Sequence, residues 1–156
     1  MSGQLVSLKL AKQRFHFSAA HFTIFSATER ERLHGHNYFV EAEVFYRYPD
    51  GFIDYNQLKD RIEAVCQQFD EYTLLPLASP HLQVTVEANR CRVRFNQDEF
   101  LMPLDDVRLL PVDNITIEAL AVYIGSLLKA EVRGYERLVV TLSSGPGQAA
   151  SCEVTA

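Results

Sequence analysis

Cysteine is scarce in this 156-residue chain: Cys66, Cys91 and Cys152 stand far apart and form no Cys-x-x-Cys pair. That leaves no disulfide framework and fits reduced thiols in a reducing compartment. Long apolar runs are missing as well. No stretch of about 18 apolar residues could cross a bilayer, and the opening "MSGQLVSLKLAKQRFHF" lacks the charged start, apolar core and small-residue cleavage site of a signal peptide. A cytoplasmic protein with no membrane partner is therefore expected. Basic charge is in deficit, with 15 Lys and Arg against 20 Asp and Glu and a formal net charge of −5. Such a balance repels phosphate backbones, so no nucleic-acid partner is expected either. No repeat or low-complexity linker divides the chain, and 47% hydrophobic residues suffice for one core. Residues 1–156 read as a single domain.

What is present is a set of clear periodicities. Residues 5–17, "LVSLKLAKQRFHF", and 38–46, "YFVEAEVFY", largely alternate apolar and polar, as half-buried strands do. After the turn signal "PDG", Leu58, Ile62, Val65, Cys66 and Phe69 recur at helical spacing behind Asp54, a plausible N-cap. Around residues 79–112, "HLQVTVEANRCRVRF" and "EFLMPLDDVRLLPV" suggest an inserted hairpin or small strand cluster. Ile117, Leu120, Ala121, Ile124, Leu127 and Leu128 then form one helical stripe capped by Asn114 or Thr116, with Gly134 at its end. "RLVVTLSS" is a strand, "GPG" breaks it, and "SCEVT" returns. The order predicts an α+β domain with antiparallel strand pairs and both helices on one face.

In "AAHFTIFSATERERLHGHNY" three of the chain's five histidines fall within sixteen residues. Residues two apart on a strand face the same way, so "HGH" projects His34 and His36 together, with Gly35 leaving the space between them open. His21 ends a strand that could lie alongside. Three neutral nitrogen ligands leave the fourth zinc position for water or substrate, a catalytic rather than structural layout. The alternative is that a His-x-His doublet is coincidental and solvated. His16 and His81 have no such partners and read as a strand and a loop residue.

The stretches "FSAAH", "LHGHNY", "GFIDYNQLK", "FDEYTLLP" and "ITIEALAVYI" resemble the 6-pyruvoyltetrahydropterin synthase and 6-carboxytetrahydropterin synthase family over most of the chain outside residues 79–112. The resemblance implies zinc (Zn) on His21, His34 and His36, holding the side-chain hydroxyls of dihydroneopterin triphosphate. It also implies a tunnelling fold, in which subunits join their sheets into a barrel, commonly as a hexamer, with active sites at subunit boundaries. The family's catalytic cysteine is missing between residues 22 and 33, but Glu31 makes a Glu-x-x-His-Gly-His motif similar to a subgroup in which glutamate replaces it. Members of that subgroup cleave the substrate side chain to 6-hydroxymethyl-dihydropterin.

Thr116 and Glu118 match the family's substrate-holding threonine and glutamate, or are only a cap and a first-turn acid. The family's Asp-His proton relay falls on Asp70 and Glu71, without the histidine. Either carboxylate could take part in catalysis, or the two form a solvated acidic pair. The family's pterin-anchoring glutamate falls on Leu142, which cannot accept the heterocycle's N–H groups; each one left unpaired costs about 1–3 kcal/mol. Two readings follow: a zinc-dependent lyase acting on dihydroneopterin triphosphate or a relative with Glu31 as base, or a divergent member that keeps fold and zinc but takes a non-pterin ligand. A carboxylate such as Glu153 entering the place Leu142 vacates would separate them. A metal-free structural oligomer is the third and blandest option.

Overall fold

The computed structural model describes residues 3–156. Strands β1 (Gln4–Leu10) and β2 (His16–His21) both pair antiparallel with the 15-residue β3 (His34–Tyr48), β2 along its first part and β1 along its second. Residues 5–17 are thus two strands rather than one. Between them the chain turns, with the Phe15 N–H donating to the Lys12 carbonyl at 2.9 Å, so that consecutive strands share one long partner. The other edge of β3 pairs with β9 (Arg137–Ser143), which pairs with β10 (Ala149–Thr155).

The sheet is mixed rather than wholly antiparallel. The short apolar β4 (Tyr72–Pro76) runs parallel to β2, and β8 (Val107–Leu110) runs parallel to β4, giving seven strands. Between these two lies a separate antiparallel three-stranded sheet: β5 (Gln83–Glu87), β6 (Arg90–Phe95) and β7 (Asp98–Pro103). "EANR" is the turn between its first two strands, as the alternation suggests, but "EFLMP" is a third strand of that sheet while "VRLL" belongs to the main one.

Helices α1 (Tyr55–Phe69) and α2 (Ile117–Glu131) lie on one face. Asp54 caps α1 by accepting from the Asn56 and Gln57 N–H groups, and the Thr116 hydroxyl caps α2 by accepting from Ala119. Asn114 is occupied elsewhere: its side chain accepts from Ile24 and Ile115 and donates to the Ile24 carbonyl. After α2 the chain turns through Gly134 at φ 80°, a left-handed conformation that glycine adopts without steric cost.

The main core joins the helix stripes to the inward sheet residues Phe17, Tyr38, Val40, Ala42, Val44, Leu138, Val140 and Leu142. Gly125 lets α2 approach β10 closely, since a Cβ there would stand 3.1 Å from Val154 Cγ2. A second cluster, containing Phe22, Leu75, Cys91, Val93, Phe95 and Val107, seats the three-stranded sheet on the main one. Among the described residues, no helix is long and apolar enough to cross a membrane.

Candidate metal centre and cavity

Alternation along β2 and β3 decides which side chains meet. His21 is paired in register with His34, and His36 and Tyr38 follow on the same face as His34. The three imidazoles stand with centroids 4.7–5.2 Å apart, and one nitrogen from each lies within 4.8 Å of the others. Gly35 points the opposite way, its missing side chain directed toward Ala19, so it does not open the space between the histidines as expected.

The hydrogen bonds around the rings favour a cation. His21 Nδ1 lies 2.9 Å from the Ile115 carbonyl and His34 Nδ1 lies 2.6 Å from the Arg32 carbonyl. A carbonyl only accepts, so each Nδ1 carries the proton and each Nε2 presents its lone pair. Backbone support of this kind is how proteins fix the tautomer of a ligating histidine. His21 Nε2 is buried without a partner, which is costly unless something outside the chain binds it. Burial is the main cause of the lowered pKa of His21, with His34 and His36 adding to it against the opposing Ile115 bond. His36 is lowered by burial and then by His34. Both rings are neutral at neutral pH, the ligating form. Zinc–nitrogen bonds of about 2.0–2.1 Å in tetrahedral geometry place ligand nitrogens roughly 3.3 Å apart. These residues therefore suit zinc, and three such ligands would leave the fourth position of a tetrahedral ion for water or substrate.

The histidines line a cavity of about 410 Å³ shared with Thr23, Phe25, Glu31, Tyr38, Thr116, Glu118, Ser144 and Gln148. Glu31 Oε2 is 3.8 Å from His34 Nε2. Its carboxylate accepts from the Thr23 N–H at 3.1 Å, and its own N–H donates to the Thr23 carbonyl at 2.8 Å. Burial acts to raise the Glu31 pKa, but the Thr23 hydrogen bonds and the nearby His34 and His21 outweigh it and hold the carboxyl below its ordinary value. Glu31 is thus an ionised acceptor beside the histidines. Tyr38 shifts the other way, its phenol pushed well up by burial and by the Glu31 charge.

Five of the sequence candidates outside the doublet therefore divide. Glu31, Thr116 and Glu118 share the histidine cavity, whereas Asp70 and Glu71 do not line it. The Asp70 carboxylate accepts from the Ser18 N–H at 2.8 Å, and the Glu71 N–H donates to the Ser18 carbonyl at 2.7 Å. Glu71, at φ 65°, lines a different cavity of about 450 Å³ with Ser18, Asn37, Tyr72 and Thr73.

Leu142 is wholly buried in the core, and the residue at this strand end that reaches the cavity is Ser144, followed by Gln148. Glu153 does not enter either, being exposed on β10 with a carboxylate oxygen 3.8 Å from Arg137. Tyr38 was legible but unread, because it extends the period of two that placed His34 and His36. His16 is a strand residue bonded to the Gln13 carbonyl, and His81 sits in a loop.

Comparison with known proteins agrees with this arrangement. A solved Plasmodium vivax 6-pyruvoyltetrahydropterin synthase is 28% identical, with a TM-score of 0.91 covering 98% of this chain and 99% of that one. The same protein has been solved with its catalytic glutamate replaced by alanine. The Plasmodium falciparum 6-pyruvoyl tetrahydropterin synthase superposes with a TM-score of 0.92 at 26% identity, over 99% of this chain and all (100%) of that one. A Methanocaldococcus jannaschii protein with the provisional name 6-carboxy-5,6,7,8-tetrahydropterin synthase is 25% identical over 142 residues, 86% of each chain. The profile of the 6-pyruvoyl tetrahydropterin synthase family matches residues 10–154, and with the curled mixed sheet and its paired helices this chain belongs to that family.

Proposed function

We propose that this protein is a zinc-dependent lyase acting on dihydroneopterin triphosphate or a close relative, with Glu31 as the base. The observation that carries the reading is the ionised Glu31 carboxylate 3.8 Å from His34 Nε2, in one cavity with all three histidines. That a catalytic glutamate is the residue replaced in the Plasmodium vivax relative supports it. Zinc, held by His21, His34 and His36, would supply a Lewis acid that acidifies a substrate hydroxyl and stabilises developing negative charge.

The chain's own residues account for the rest. Glu31 accepts the proton of a side-chain hydroxyl, whose electrons form the new carbonyl as the adjoining carbon–carbon bond breaks. The electron pair released passes to the carbon left on the heterocycle, and Glu31 returns the proton there. Glu118, the only other carboxylate among the described lining residues, accepts from the heterocycle's N–H edge. The partly buried Thr116 fixes the turn that presents Glu118. Glu71, with Asp70 beside it, enters this reading only through a second protomer of a homo-oligomer, a hexamer in the arrangement we favour, that brings the cavity Glu71 lines against this one.

Ser144 and Gln148, in place of a carboxylate at the end of β9, favour a second reading in which the site takes a ligand other than a pterin. Incubating zinc-loaded protein with dihydroneopterin triphosphate and following products by mass separates the two. Release of 6-hydroxymethyl-dihydropterin, lost in Glu31→Ala and His34→Ala, is the expected result. Absence of both turnover and binding by protein that still holds zinc would overturn the pterin reading.

A further inference from the structure

We infer that Arg30 is a positioning residue for Glu31, and that the three-stranded sheet reaches the chemistry through it. The inference rests on the reading of Glu31 as base. Arg30 belongs to a charged loop, yet its side chain is only 17% exposed. Its guanidinium lies over three phenylalanine rings, 5.3 Å from Phe22, 5.7 Å from Phe95 and 4.9 Å from Phe100. Phe95 and Phe100 come from β6 and β7, and Phe22 stacks on Phe100 with centroids 5.4 Å apart. One Nη donates to Asp98 at the start of β7 at 2.6 Å, the other donates to the Glu31 carbonyl at 2.8 Å, and Nε is buried with no acceptor.

An incompletely satisfied guanidinium among aromatic rings is a poor device for stability. An apolar side chain of similar volume is often as good or better, and cation–π attraction returns only part of the desolvation cost. What an apolar residue cannot supply is a directed N–H to the Glu31 carbonyl. Arginine's planar fork supplies two at once, one anchored on Asp98 and one on the backbone of the base, and lysine's single ammonium cannot match both directions.

The rest of the loop is held at other points. Phe25 and Ser26 donate to the Glu29 carbonyl, the Ser26 hydroxyl accepts from Thr28 and Glu29, and Asn114 brackets Ile24. Among the hydrogen bonds of the described residues, Arg30 alone ties the Glu31 peptide to the small sheet. The histidines stand on β2 and β3, and their one hydrogen bond to this loop is from His34 Nδ1 to the Arg32 carbonyl, not to the peptide that Arg30 holds. Loss of Arg30 should therefore loosen the base while leaving the metal ligands in place.

The test compares zinc-loaded wild type with Arg30→Ala, Arg30→Lys, Asp98→Asn and Glu31→Ala, using dihydroneopterin triphosphate. Arg30→Ala is expected to lower kcat roughly 10- to 100-fold, the scale of a misplacement of about 1 Å, with KM and zinc stoichiometry little changed. Added guanidinium should restore part of the rate to Arg30→Ala, and Arg30→Lys should not recover it. Asp98→Asn, at an exposed position, keeps the test open if Arg30→Ala fails to fold. Amide exchange at Thr23 and Glu31 in the Asp98 variant should quicken by roughly 10-fold or more while amides of β2 and β3 hold. Unchanged kcat and exchange in folded Asp98 and Arg30 variants, with Glu31→Ala inactive, would overturn the positioning role alone. An active Glu31→Ala would overturn the base reading, and the exchange measurement would still decide whether Arg30 holds the loop.

Discussion

His21 has opposite consequences with and without a metal, and this can be measured. In the metal-free protein its Nε2 is a buried acceptor without a partner, which costs about 1–3 kcal/mol. Its Nδ1–H bond to the Ile115 carbonyl returns about 1 kcal/mol. His21→Leu removes both and leucine fills a site that is only 5% exposed, but it leaves the Ile115 carbonyl with only the Thr23 hydroxyl at 3.5 Å, a cost on the same scale as the one it relieves. The metal-free variant should therefore lie within about 1–2 kcal/mol of wild type, with either sign. Zinc changes the comparison, because a ligand that binds only the folded state at a hundredfold excess over its Kd adds about 2.7 kcal/mol. For a chain of this length that raises Tm by about 5–11 °C. Thermal unfolding at fixed protomer concentration, with chelator and with zinc, should show that rise in wild type and its absence in His21→Leu. Equal rises in both would refute His21 as a ligand, and no rise in wild type would refute the cluster as a zinc site.

Three further outcomes follow from residues around the site. Burial, reinforced by the Asp70 and Glu63 carboxylates, pushes the Cys66 thiol from 9.0 up to about 12. Its favourable contribution is complete below pH 9.0 and declines as pH rises toward about 12; a thiol reagent at pH 8 should label Cys152 in the folded protein and reach Cys66 only after unfolding, and labelling of folded Cys66 would contradict this. Asn114→Ala strands the Ile24 N–H and carbonyl and the Ile115 N–H, so denaturant unfolding should show a loss of roughly 1–3 kcal/mol. Leu142→Glu buries an unpaired carboxylate in the core and should prevent folding at the cost of several kcal/mol, whereas Ser144→Glu should fold and lower KM for a pterin substrate. A folded Leu142→Glu with tighter substrate binding would show that the strand end is misread.

Much of this was legible in the sequence, and the parts that were not share a cause. The helix stripes, Asp54 and Thr116 as caps, and the shared face of His34 and His36 depend on residues a few positions apart, where periodicity and capping rules act. The parallel pairing of β4 with β2 and β8 is set by where distant segments settle, and "EYTLLP" is too short and apolar to declare its neighbours. Leu142 is different, because the information was present: in "RLVVTLSS" the alternation that buries Leu138 and Val140 also buries Leu142. Two residues further on, it is Ser144, not Leu142, that lines the cavity. The burial of Arg30 was illegible because "ATERERL" is a charged loop, and the rings that close over it, Phe95 and Phe100, come from far along the chain.

The cavity draws on three supports that fold for different reasons. The histidines sit on paired strands whose register is fixed by the core beneath them. Thr116 and Glu118 sit at the start of a helix whose apolar stripe is packed on β9 and β10. Glu31, unlike the histidines and Glu118, sits on a loop, held by Thr23 on one side and by Arg30 and the small sheet on the other. A change in the second core, around Phe95 or Val93, should therefore reach the base before it reaches the metal ligands. On the proposed reading, the small sheet, which looks peripheral in the topology, is the part of the fold through which turnover would change while metal affinity stays fixed.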